Sequence, residues 1–220
     1  MSFIVEDTGG SFTPVPAGMH LARCYRIIDL GTQKTEFEGN VDFKRKLKIV
    51  WEIHGEDDEG KPIVTSKNEP MIITKDYTMS WGDKATLRKD LQSWRGKPFT
   101  EDEQKRFDLK SVLDKWCMVN VAHKPKKNGQ GVYANIVSVT PVPQALKAVI
   151  PDGFNKVGMF TMASPDMEMF ETFSDYLKKT IMESPEWKSM MKADAELEAK
   201  GIKKPSAGSG VDDMDDDIPF

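Results

Sequence analysis

Between Phe43 and Lys48 the chain reads Phe-Lys-Arg-Lys-Leu-Lys, one aromatic ring followed by four cations, Lys44, Arg45, Lys46 and Lys48. Ring and charge recur together at Lys75, Tyr77 and Trp81, and again at Lys124, Lys126, Lys127 and Tyr133. Cations neutralise phosphates, and flat rings offer faces on which bases stack, at ~1–3 kcal/mol per base. The chemistry these residues can do is reversible binding of a single nucleic acid strand. Bond-making has less support. The sequence holds no phosphate-binding glycine loop, no His/Cys metal cluster and no nucleophile elbow. The runs DDEG and DMDDD lie in polar segments and read as solvated charge. No catalytic residue, metal or cofactor is assigned, and the expectation is a protein that is not an enzyme.

Each of these residues also has a plainer reading. Leu47, Ile49, Trp51 and Ile53 alternate with Lys46, Lys48, Val50 and Glu52, which is a strand with one buried and one wet face. Trp51 therefore belongs to the core, and Trp94 and Trp116 read as packing residues too. The lysines of that strand could be an ordinary solvated face, and Lys126 and Lys127 ordinary loop decoration. Tyr77 shares a face with Ile73 and Met79, so whether it is core or cleft turns on one step of register.

The elements that would position these groups follow from periodicity. Residues 1–17, with Gly9, Gly10, Pro14 and Pro16, read as a loose arm. A first strand starts at Gly18, a polar stretch with a turn at Gly39 and Asn40 follows, and the alternating strand ends at His54. A third strand spans 70–81. Leu87, Leu91 and Trp94 then fall at helical spacing, with Asp83 as a possible cap and Gly96 as a stop. Thr100 and Glu103 form a capping-box pattern. The extended period returns in two strands, WCMVNVAH and VYANIVSVTPVP, joined by the basic loop KPKKNGQG. Three strands, a helical segment and two strands is the order of an OB-fold. The expected fold is thus mainly β, a five-stranded OB-fold barrel over 18–143 with a helical insertion between strands 3 and 4. In that fold the second and third strands, and the loops joining strands 1–2 and 4–5, line the binding cleft.

Residues 144–163 read as a connector and 164–200 as a helical segment, in which Ser164-Pro165 and Ser184-Pro185 each pair a cap with a first-turn proline. Phe170, Phe173, Leu177 and Ile181 form an apolar stripe, and Trp187, Met190, Met191 and Leu197 a weaker one. The stripe is expected to pack on its own barrel, or to make a self-contact between copies. Residues 201–220 read as a flexible linker and a disordered acidic tail. Across 220 residues, 39% hydrophobic and 30% charged, the net charge of −4 divides into +2 for residues 1–143 and −6 for the rest. That asymmetry suggests an anionic partner for the front and a basic one for the back. No apolar run reaches ~18 residues, and the N-terminus lacks a signal-peptide pattern, so a cytoplasmic location is expected. Cys24 and Cys117 lie in apolar segments and are expected as buried free thiols.

The chain ends in Asp212, Asp213, Met214, Asp215, Asp216, Asp217, Ile218, Pro219 and Phe220. An acidic run closed by a stiffened apolar tip suits a basic pocket with a greasy floor: an arginine can pair bidentately with the terminal carboxylate, and proline lowers the ordering cost. MDDDIPF resembles the C-terminal tip of bacterial single-stranded DNA-binding proteins. The body, around YTMSWGDKATLRKDLQSWRGKPFT, is similar to phage-encoded members of that family. The resemblance implies coating and protection of single-stranded DNA with little sequence preference, and recruitment of replication, recombination and repair proteins by the tip. It also implies that the tip competes for the protein's own DNA cleft, and that the setting is the cytoplasm of a bacterial host. The bacterial linker is long and Gly/Gln-rich, whereas a helical segment stands here, which leaves the oligomeric state open. The alternative is an OB-fold adaptor that binds replication proteins and has little DNA affinity. A nuclease would need carboxylates clustered about a divalent metal.

Overall fold

The computed structural model describes residues 13–127 and 129–199. It is mainly β. The strands are β1 (Gly18–Phe37), β2 (Asn40–His54), β3 (Ile72–Thr78), β4 (Trp116–Pro125), β5 (Val132–Thr140) and β6 (Gly158–Phe160). Five of them form one antiparallel sheet in the order β3-β2-β1-β4-β5, and β6 pairs parallel to β1. Helices α1 (Thr86–Arg95) and α2 (Glu101–Arg106) fall between the third and fourth strands, as expected. The acidic tail, the arm up to residue 12 and the linker from 200 onward lie outside the described residues.

The expected closed barrel is corrected to an open sheet. β3 and β5 approach each other, but no ladder joins them. The physical reason is α1, which contacts both strands. Its stripe of Leu87, Leu91 and Trp94 packs into the main core with Trp51, Tyr77, Val121 and Val139. Gly96 ends the helix in the left-handed region, at φ 72°. Asp83 does not cap it: the helix starts at Thr86, and Asp83 pairs with Arg88 instead. Thr100 and Glu103 do form the reciprocal capping box of α2. Cys24 and Cys117 are buried free thiols.

The polar stretch expected between the first two strands is itself strand. β1 and β2 pair continuously to Phe37↔Asn40, and the turn falls at Glu38-Gly39, both with positive φ. Two positive φ values in a two-residue loop match the right-handed twist of the flanking strands.

A second apolar layer covers the other face of β1 and β2. Tyr25, Ile28, Leu30 and Val50 meet Phe160 of β6, Phe170 of α3 (Met167–Glu171), Ile181 of α4 (Asp175–Met182) and Trp187 of α5 (Pro185–Ala199). The helical stripe thus packs on its own sheet, with Phe170, Phe173, Ile181 and Trp187 buried. Met191 is exposed, and the side chain of Leu197 lies outside the described residues. Three helices stand where two were expected. Asp166 rather than Ser164 caps the first, and Ser174 caps a separate second. Ser184 behaves as expected, its hydroxyl accepting from the Trp187 backbone N–H.

Gly31 makes this docking possible. Its φ is +67°, and a Cβ there would stand 2.5 Å from the Ser184 Cβ. Gly31→Ala should cost about 1–3 kcal/mol through overpacking alone. Chemical denaturation should show a lowered midpoint, with a larger effect than Ala at exposed Gly39.

Candidate nucleic-acid interface

Strand alternation divides the basic run of β2. Arg45 and Phe43 follow the parity of Leu47, Ile49 and Trp51, which enter the main core. Lys44, Lys46 and Lys48 follow that of Val50, which enters the second layer. The division does not scatter the charges, because β3 pairs only as far as Lys46↔Thr78. Beyond it β1 and β2 continue as a two-stranded ribbon, held at its base by Met79 N–H donating to the Arg45 carbonyl and by Thr32 and Gln33 bonding Glu186 and the Thr180 carbonyl. Lys44 and Arg45 there line one open groove of about 640 Å³, between β2, the end of β3 and the entry to α1, together with Lys84. Lys46 faces a second groove of about 380 Å³, and Asp76 lines both.

The cations differ in their availability. Lys44 reaches Asp42 at 3.1 Å, but both are about half exposed or more, so the pair contributes at most about 1 kcal/mol. Arg45 holds Asp29 at 2.6 Å and keeps 45% of its side chain exposed. The hydrogen bond to Asp29 raises its pKa above the ordinary value, so it stays charged at any working pH. Lys46 makes no ion pair among the described residues. Lys48 is engaged by Asp76. Phe43, 64% exposed, is the ring available beside them.

Three expected cleft residues are partly or fully covered. Tyr77 is 3% exposed, and its hydroxyl donates to Asp90 of α1 at 2.8 Å. Lys75 bonds the same carboxylate at 2.6 Å, with only 19% of its side chain exposed. The physical reason is that α1 roofs the inner side of β3, turning what reads as an open strand face into a lid-covered core. Burial, then the charge of Asp90, push the Tyr77 hydroxyl pKa far up, so it remains a donor. Trp81 is only partly exposed and stacks on Phe107 at 5.3 Å beside Phe99.

The hairpin cluster is a separate surface. Lys124 pairs with Tyr133 across β4–β5, and Lys126 sits 5.5 Å from the Tyr133 ring centre. Tyr133 is 55% exposed. Lys127 adjoins the tip. β4 meets β1 at Gly18–Arg23, whereas Lys44 and Arg45 pair with Gln33 and Thr32. The two clusters thus attach to opposite ends of β1.

Lys34, Lys84, Tyr176 and Lys179 line the grooves but were not expected there. The legible signal was Tyr176: a ring beside Phe173 and Leu177 yet off their stripe, with Lys179 three residues on. The tail residues Asp212, Asp213, Asp215, Asp216, Asp217, Ile218, Pro219 and Phe220 lie outside the described residues. No protein-family model matches this chain, and no curated protein matches it either.

Proposed function

We propose that this chain is a single-stranded DNA-binding protein built on an open OB-fold. It coats the strand with little sequence preference and recruits replication, recombination or repair proteins through its acidic C-terminal tip. The strand order β3-β2-β1-β4-β5, with the helical segment between the third and fourth strands, supports the OB-fold part of the reading. The observation that carries the reading is the convergence of Lys44, Arg45 and Lys84 on one open groove, with Lys46 on the next and the exposed Phe43 ring beside them. Phosphates take the cations and bases stack on the ring. The tail reading rests on the residue types of DDDIPF and on its resemblance to the bacterial tip.

The burial of Tyr77 and of most of Trp81 removes two rings from the cleft, which favours the adaptor as the second reading. One titration separates the two. Trp51, Trp94 and Trp187 are buried, so tryptophan quenching is a poor reporter, and anisotropy of a labelled oligo(dT) is preferred. Each phosphate contact should contribute about −0.7 to the slope of log K against log salt, giving roughly −3 for four cations. An adaptor shows no binding at low salt. Binding that is unchanged from low to moderate salt contradicts the groove.

A further inference from the structure

Helix α4 lays Leu177 and Ile181 on the second core and presents another side to water over the sheet. On that side stands Tyr176, 81% exposed, the most exposed large apolar or aromatic side chain among the described residues. A ring held in water gives up the energy of its own burial. Lys179 follows at i+3, the spacing that puts two side chains on one helix face. Both line the second groove with Lys34 and Lys46. Two acids share that groove and neither opposes an anion strongly. Asp76 is engaged by Lys48. Glu183 lies 3.9 Å from Lys179 in an exposed pair. The groove shares Asp76 with the first, so the two lie side by side at the end of β3.

We infer that the C-terminal helical layer is a second part of the DNA track: a base stacks on Tyr176, and phosphates take Lys34, Lys46 and Lys179. The inference rests on the single-strand reading above and extends it. It assigns α4 a ligand contact beyond covering the sheet. It also makes the bound strand longer than the first groove alone accommodates.

The test uses the full chain and two labelled oligo(dT) lengths, about five and about twenty nucleotides, the first near the lower end of the ~4–16 nucleotides an OB-fold occupies and the second beyond its upper end. Tyr176→Ala combined with Lys179→Glu should bind the long strand about tenfold or more weaker, and the short strand nearly as well as the unaltered chain. Tyr176→Phe should bind both normally, since it keeps the stacking face. All these side chains are exposed, so folding, checked by circular dichroism, should be unaffected. Equal affinity of the double variant and the unaltered chain for the long strand overturns the inference and leaves the first groove standing. Failure of the unaltered chain to bind either length overturns the inference together with the reading beneath it.

Discussion

Replacing Lys44 and Lys46 together by glutamate should weaken oligo(dT) binding by about a hundredfold or more. A hydrogen bond to a charged group contributes about 1.5–3 kcal/mol, and two lost contacts approach 3 kcal/mol, before counting repulsion from the new carboxylates. The slope of log K against log salt should flatten by roughly 1.4, about 0.7 for each lost phosphate contact. Stability should hardly change: Lys44 is exposed, Lys46 half-buried, and neither supports a buried charge. The matched control is Lys126→Glu with Lys127→Glu at the β4–β5 tip. That control carries the same change in net charge at a distance from the grooves, and should cost much less. If the two double variants lose affinity equally, the effect is net charge alone and the β2 grooves are not the seat of binding.

Glu52→Ala should have the largest effect on stability. Glu52 is fully buried, although it sits on the strand face that alternation marks as wet. Its carboxylate accepts from the backbone N–H of Phe154 at 2.9 Å and of Asn155 at 2.7 Å, and from the Asn155 side-chain amide at 2.7 Å. It also pairs with Arg23 at 3.0 Å and lies 3.0 Å from His54 Nε2. Arg23 in turn bonds the Asn155 carbonyl and Asp114. One carboxylate thus clips the loop that leads into β6 onto the sheet. Removing it takes one of the two carboxylate partners from the nearly buried Arg23 guanidinium, leaving the exposed Asp114, and leaves two backbone N–H groups without that acceptor. The expected cost is about 3–5 kcal/mol, read as a lowered midpoint in chemical denaturation.

Burial opposes ionisation of Glu52. The hydrogen bonds from Asn155, His54 and Phe154 outweigh it and hold the carboxyl at about 2, below its ordinary 4.5. A carboxyl whose folded pKa is depressed stabilises fully above its unfolded value and loses that contribution as pH falls through the folded one. Stability should therefore decline between about pH 4.5 and pH 2, and the decline should be shallower in Glu52→Gln. An equal decline in both proteins would assign the acid sensitivity to other groups.

The parts legible in the sequence are those where one side of an element is buried and the other is not. The alternation of Leu47 to Ile53, the stripe of α1 and the Thr100–Glu103 box all follow from such local patterns. The ribbon beyond Lys46 was hidden because it is mostly polar and its apolar residues Val41 and Phe43 are exposed, so no buried face marks it as strand. Tyr77 was undecided because a single strand does not say whether a helix roofs it; Asp90, thirteen residues away, supplies the hydroxyl partner. The second layer was legible in principle from Val50, on the face that alternation marks as wet, and from Ile28 and Leu30, apolar residues of the first strand. They say that something covers the sheet, and Phe160 and Ile181, over a hundred residues on, are what does. Glu52 was read as solvated for the same reason: its partners at 154 and 155 arrive from outside the local pattern. The candidate site was legible as composition, cations beside rings, but not as geometry. The cations converge past the end of β3, where the entry to α1 and helix α4 complete the grooves, and no local pattern in the strand reports those distant neighbours.

The central claim is that single-stranded DNA lies along the β2 grooves. Photocrosslinking of the full chain to an oligo(dT) carrying photoreactive thymine analogues, with the linked peptides mapped by mass spectrometry, tests it most directly. The account predicts links within residues 41–48 and 76–86, centred on Phe43 and the groove beside Lys84. Links confined to residues 124–133, or an absence of links at low salt, would contradict it.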